Sequence, residues 1–258
     1  MVKSEGRVCV FGIEIDSLTM RQAVARVAGW INSDERLCRY VVTPNVDHIV
    51  RLREDGPFRE TYGHAALVLV DGKPVAAAAR FLGETIPETV SGSDLVPEIF
   101  EHFSHHEPKG VTVFLLGAGP GVAERAAERI HATWPGVRVV GTLSPDFGFE
   151  RDRRTCEEIC AAIAKTGAEL LVIGLGCPKQ ELWVRQYAQR LPVKVALCVG
   201  AAIDFLAGEK RRAPPWMRRL ALEWFHRVLT EPRRLGKRYL QDAVLFPLCV
   251  VKEWRSRN

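Results

Sequence analysis

The sequence predicts an α/β protein: a parallel sheet with helices on both faces, followed by a basic helical C-terminal appendage. Three observations carry this. Short β-branched runs alternate with helix-patterned stretches through most of the 258 residues. Those runs are continuously apolar, as strands covered on both faces are, and do not alternate apolar with polar. After Gly208 strand patterning stops and the charge turns basic.

Taken in order, the strand expectations are VCVFG (8–12), RYVVT (39–43), ALVLV (66–70), VTVFLLG (111–117), VRVVG (137–141), ELLVIGLG (169–176) and KVALCVG (194–200). Helix-like stretches fall at 18–32, 46–55, 74–82, 93–104, 120–133, 151–166, 179–190 and 201–207. This β–α alternation with short connections describes a Rossmann-like body over residues 1–208, with a seam plausible at HHEPKG (105–110). Residues 209–258 read as two or three helices, broken at Ala213-Pro214-Pro215 and at Glu231-Pro232.

Composition narrows the class. A hydrophobic share of 47% with 26% charged residues fits a soluble globular protein with a full core. The longest uncharged apolar stretches run to about nine residues, whereas a spanning helix needs roughly 20. The N-terminus lacks the apolar segment of a signal peptide. Seven cysteines without a CxxC pair, most inside apolar runs, point to a reducing cytosol rather than a disulfide framework. The formal net charge of +5 is uneven: residues 209–258 carry +8 and residues 1–208 carry −3. So localised a basic segment, interleaved with Trp216, Trp224, Phe225 and Tyr239, implies an anionic partner, and a membrane surface fits best.

Parallel sheets bind ligands at the carboxyl ends of their strands, so the residues there are the candidate site. RYVVT runs into Thr43-Pro44-Asn45, ALVLV into Asp71-Gly72, and KVALCVG into Ala201-Ala202-Ile203-Asp204. A carboxylate at the end of an interior strand is costly to bury unless something uses or pairs with it, which singles out Asp71. GAGPGVAERA (117–126) keeps Gly117 and Gly119 of a dinucleotide fingerprint, but Val122 takes its third small position. The next strand also lacks the acid that would hold a ribose, so a nicotinamide-dependent oxidoreductase is disfavoured. The stretch reads as a nucleotide-type turn or simply a tight βα turn. In GLGCPKQELW (174–183), Gly174 and Gly176 allow close backbone approach, and Lys179 and Gln180 sit in the first turn of a helix, a setting that suits a diphosphate or a nucleobase edge, or is simply a solvated first turn behind Pro178. The seven histidines show no metal-binding spacing, and no metal or other cofactor is expected.

Taken together, TPNVDHI, LVDGKPVAAAARFLG, VSGSDL, FLLGAGPGV, GLGCPKQELW, IDFLAGEKRRAPPW and LEWFHRVLTEPRRLGKRY resemble the WecG/TagA/CpsF family of glycosyltransferases, in order over about residues 40–240. The chain departs from the family's usual residues at Lys73, Pro145-Asp146 and Ala201-Ala202. The resemblance implies a metal-independent, inverting transfer of a hexosyl group from a UDP-sugar to a polyprenyl-diphosphate-linked sugar in cell-surface polysaccharide synthesis. N-acetylmannosamine is the expected group and glucose the alternative. It also implies that Asp71 is the catalytic base, with Thr43 and Asn45 lining the same pocket. Gly117, Gly119, Gly174, Gly176, Lys179, Gln180 and Asp204 are the donor-side candidates. Arg227, Arg233, Arg234 and Arg238 are candidates for the acceptor diphosphate at the membrane. The expected location is the inner face of the cytoplasmic membrane, peripherally bound, without nucleic acid and with homo-oligomerisation left open.

Overall fold

The structure is a computed structural model and describes residues 6–210, 212–214, 217 and 223–257. The chain opens with an antiparallel hairpin, β1 (Arg7–Val10) and β2 (Ile13–Asp16), then α1 (Met20–Asn32) and β3 (Arg39–Val42). Next come α2 (Val46–Arg51), α3 (Gly56–Gly63), β4 (Leu67–Val68), α4 (Lys73–Phe81) and α5 (Gly92–His105). β5 (Val111–Gly117), α6 (Val122–Thr133), β6 (Val137–Leu143), α7 (Arg153–Thr166) and β7 (Leu170–Gly174) follow. The body ends with α8 (Lys179–Tyr187), β8 (Val195–Cys198) and α9 (Ala202–Ala207). Beyond it are α10 (Glu223–Thr230) and the long α11 (Pro232–Arg257).

Six strands form one parallel sheet in the order β4-β3-β8-β7-β5-β6. Helices cover both faces, as the unbroken apolar strands require. Val42, Val68, Leu116, Ile173 and Cys198 face one core with α3, α4, α7 and α8. Val41, Leu67, Leu115, Val172 and Leu197 face the other with α1, α5, α6 and α9. Strands from before and after residues 105–110 join the same sheet, so that stretch is only the turn between α5 and β5.

Two local expectations change. The predicted strand 8–12 lies outside the parallel sheet: Phe11 (φ 58) and Gly12 (φ 74) make a two-residue turn that folds it back on Ile13–Asp16. That hairpin protects the sheet edge. Asp16 accepts the outward N–H of Val68 at 2.9 Å while Arg7 donates to its other oxygen at 3.0 Å. The predicted helix 46–55 stops at Arg51, and a separate helix starts at Gly56 because the Asp55 side chain caps it, accepting from Phe58 N–H at 2.8 Å.

The C-terminal helix is docked on the body. Phe246 packs on Phe11 with ring centroids 5.9 Å apart, Cys249 is buried in the core, and Arg257 pairs with Glu84 at 3.2 Å. Among the described residues no helix is long and apolar enough to cross a membrane. All seven cysteines are free thiols, five of them buried.

The ends of β5 and β7 meet without side chains. A Cβ on Gly117 would stand 2.6 Å from the carbonyl of Gly174, and Gly117 also holds φ +112. Gly176, at φ +79, has nothing within 4 Å of such a Cβ. Gly117→Ala should therefore cost about 3 kcal/mol, combining overpacking with backbone strain, and Gly176→Ala only about 1 kcal/mol. Urea unfolding of the two variants checks the order; an equal or smaller loss for Gly117→Ala would contradict it.

Candidate active site

Asp71 owes its position to backbone pairing that continues past β4. Leu69 N–H donates to Val42 O at 3.0 Å, and Asp71 N–H donates to Pro44 O at 2.9 Å. The carboxylate is thus carried to the rim at the carboxyl end of the sheet, half-buried, with Gly72 at φ 102 turning the chain into α4. Beside it, the buried Thr43 hydroxyl donates to Cys198 O at 3.4 Å, tying the end of β3 to the end of β8. Asn45 caps α2, its side-chain oxygen accepting from His48 N–H at 3.4 Å. Thr43, Asn45 and Asp71 therefore share one rim through three different local restraints.

Two cavities, of about 260 and about 240 Å³, share Asn45, Asp47, Asp71 and Arg238 in their walls. The first extends to the C-terminal helices, where Glu223, Trp224, Tyr239 and Asp242 line it opposite Lys73 and Ser91. The second runs along the strand ends past Gly174, Gly176, Gln180, Gly200 and Asp204 to Lys210. Asp71 stands where the two meet, facing an aromatic and acidic wall on one side and a glycine-rich one on the other.

Of the donor-side candidates, Gly174, Gly176, Gln180 and Asp204 line the second cavity, and Gly117, Gly119 and Lys179 line neither. Gly117 is needed for the close approach of β5 to β7. Lys179 Nζ lies 4.2 Å from the centroid of the Phe147 ring, a cation–π contact that holds it away from the cavities. Gln180 is buried; its oxygen accepts Gly200 N–H at 3.1 Å and its nitrogen donates to Glu181 at 2.7 Å. It is a brace between α8 and the loop after β8 as much as a cavity wall. Asp204 faces Lys210 at 3.9 Å. Arg238 lines both cavities, 3.8 Å from Asp47. The side chains of Arg227, Arg233 and Arg234 lie outside the described residues.

Sequence reasoning missed the acids behind this rim. Asp47 is buried and held by Arg51 at 3.1 Å as well as by Arg238. Asp242, one turn beyond Arg238 on the same helix, is 4% exposed, and its Oδ2 has no hydrogen-bond partner. Burial, with the neighbouring Asp47 charge, pushes its carboxyl up to about 6, against the opposite pull of Arg238 and Arg51. Arg238 and Asp242 are four apart, and that spacing was the available signal. Also missed were His48, Cys177 and Glu181, whose ligand atoms lie within 4.8 Å of one another. Burial lowers His48 to about 4 and raises Glu181 to about 7. Spacing along the chain could not reveal a group whose first and second members are separated by most of the body.

A carboxylate on the carboxyl-end rim of a parallel sheet, on the wall shared by two cavities, is the arrangement of a ligand-binding site in an α/β protein. The chain belongs to the glycosyl transferase WecG/TagA/CpsF family, whose pattern it matches over residues 8–258. It is similar to an N-acetylglucosaminyldiphosphoundecaprenol N-acetyl-beta-D-mannosaminyltransferase of Staphylococcus aureus (strain MRSA252), 26% identical over 97% of this chain and 94% of the relative. A protein of the same name from Bacillus spizizenii is 26% identical over 78% of this chain and 75% of its own length. The chain is a glycosyltransferase, as its motifs imply.

Asp242 gives the fold a specific pH response. Because its folded-state pKa is raised, its contribution to stability is fully present below the unfolded value and is lost as pH rises through about 6. Asp242→Asn should therefore raise the unfolding temperature relative to the native chain at pH 7.5, and raise it less at pH 4.5. The same difference at both pH values would show that the carboxyl is not strained.

Proposed function

We propose that the chain transfers an N-acetylmannosaminyl group from a UDP-sugar to a polyprenyl-diphosphate-linked sugar, with inversion and without a metal ion in the transfer step. The single observation that carries this reading is Asp71 on the wall common to both cavities, beside Asn45 and Arg238. The names of the relatives supply the donor group and the lipid-linked acceptor.

Asp71 accepts the proton of the acceptor hydroxyl as that oxygen attacks the anomeric carbon; one positioned carboxylate is enough, since no covalent glycosyl-enzyme forms. The donor takes the second cavity, with Thr43 and Asn45 against its sugar. The leaving diphosphate gains negative charge as the glycosidic bond breaks, and among the described residues Lys210 and Arg238 line that cavity to receive it. The acceptor enters through the first cavity, where Trp224 and Tyr239, with ring centroids 6.4 Å apart, offer apolar faces to a sugar ring.

Asp71→Asn should remove most turnover, by a factor of roughly 10² to 10⁴ for loss of a positioned base, while UDP binding measured by calorimetry persists. Near-native turnover in that variant would end the assignment. A donor screen in magnesium and in EDTA tests the rest: strict dependence on magnesium would contradict the metal-free step.

The inner membrane surface is the proposed location of the acceptor. The C-terminal helix exposes Leu240, Val244, Leu248 and Val251, at 70, 60, 53 and 45% of their surface. Their spacing of three and four makes one stripe, with exposed Lys237, Lys252 and Arg255 on the same helix to meet anionic headgroups. Replacing Val244 and Leu248 with Glu should weaken binding to vesicles containing phosphatidylglycerol about tenfold or more, with helicity by circular dichroism unchanged. Undiminished sedimentation with vesicles would place the lipid contact elsewhere.

A further inference from the structure

We propose that His48, Cys177 and Glu181 form a binding site for a transition-metal ion of the zinc type, in the wall of the second cavity and with no part in the transfer step itself. Three features of the molecule lead there.

The first is the donor set. One imidazole, one thiol and one carboxyl place their ligand atoms within 4.8 Å of one another. Tetrahedral zinc holds sulfur at about 2.3 Å and nitrogen or oxygen at about 2.0–2.2 Å, so modest side-chain rotation closes the gap. Thiol and imidazole donors select zinc, cobalt or iron over magnesium, whose sites are built from oxygen.

The second is the state of Glu181. It is 0% exposed, its Oε1 accepts from Gln180 at 2.7 Å, and its Oε2 is buried with no hydrogen-bond partner. A buried carboxyl oxygen left unpaired is costly, and a cation between it and Cys177 removes that cost.

The third is orientation and access. His48 is buried with its Nδ1 2.6 Å from the Tyr62 hydroxyl, a contact that fixes the orientation of the ring. His48 and Cys177 also line the second cavity, which is the way in. On binding, the Cys177 thiol proton, and the Glu181 proton where the carboxyl carries one, pass to solvent. The resulting thiolate and carboxylate then neutralise the divalent charge. Three protein ligands leave a fourth position for water on the cavity side. The ion would lock α2, the loop after β7 and α8 together in the wall of the cavity that Thr43 and Asn45 also line.

Cobalt(II) tests this independently of sugar transfer, because its bond to a thiolate absorbs in the near ultraviolet. The full-length protein, freed of metal by chelation, is titrated with cobalt(II) alone. One equivalent should develop the thiolate charge-transfer band together with the visible bands of a tetrahedral ion, and zinc should bleach both. Cys177→Ser should abolish the charge-transfer band, and Glu181→Gln should weaken cobalt binding at least tenfold with near-ultraviolet circular dichroism unchanged. No band in the native protein, or a band that survives Cys177→Ser, would overturn the site whatever the variants do to folding. Because the readout needs no donor or acceptor, its failure would leave the transferase reading untouched, and the reverse holds too.

Discussion

Parallel pairing in a single register brings the functional residues to one edge. Val42 is level with Val68 on one side and Cys198 on the other, and Cys198 is level with Ile173. The residues that follow these four, Thr43, Leu69, Val199 and Gly174, must then emerge together. A slip of one residue in any pair would swap that strand's side chains between the two cores and mismatch the packing on both faces of the sheet. The position of Asp71 is thus enforced by the two cores, and the cavity residues inherit that rigidity.

The rim is also an electrostatic compromise. Asp47, Asp71 and Asp242 line the first cavity together with Arg238, and Arg51 supports Asp47 from behind. Arg238 is close enough to Asp47 to offset one charge, and Asp242 is left strained. Within this acidic cluster Arg238 is a cation placed to meet a phosphate that enters. Carrying that cation on the C-terminal helix makes the helix part of the cavity wall, so removing it would open both cavities at once. The same helix carries cavity-lining residues on one side and an exposed apolar stripe on the other.

Much of this was legible in the chain. Continuous apolar runs such as VTVFLLG gave buried parallel strands, and the carboxyl-end rule then nominated Asp71, Thr43 and Asn45, all of which the fold brings to one rim. What escaped was either too short or too distant to show a pattern. Ile13–Asp16 pairs only because a two-residue turn folds it onto its neighbour, and Gly56–Gly63 begins with Gly-Pro, which reads as a loop until Asp55 is seen to cap it. Lys179 sits in a first helical turn as the sequence indicates, and its stacking on the Phe147 ring is a contact that the sequence does not show. Asp242 is buried only because its helix docks back on the body, a contact between distant segments that local periodicity does not carry.

A direct displacement driven by one carboxylate at this rim, as proposed for Asp71, must invert the anomeric centre, so the stereochemistry of the product is the measurement to make. An α-linked UDP-N-acetylmannosamine donor and a short-chain lipid-diphosphate acceptor should give a β-glycoside, read from the one-bond carbon–hydrogen coupling at the new anomeric centre by NMR. A product that keeps the α configuration would require two successive displacements, and a single base at Asp71 could not account for it.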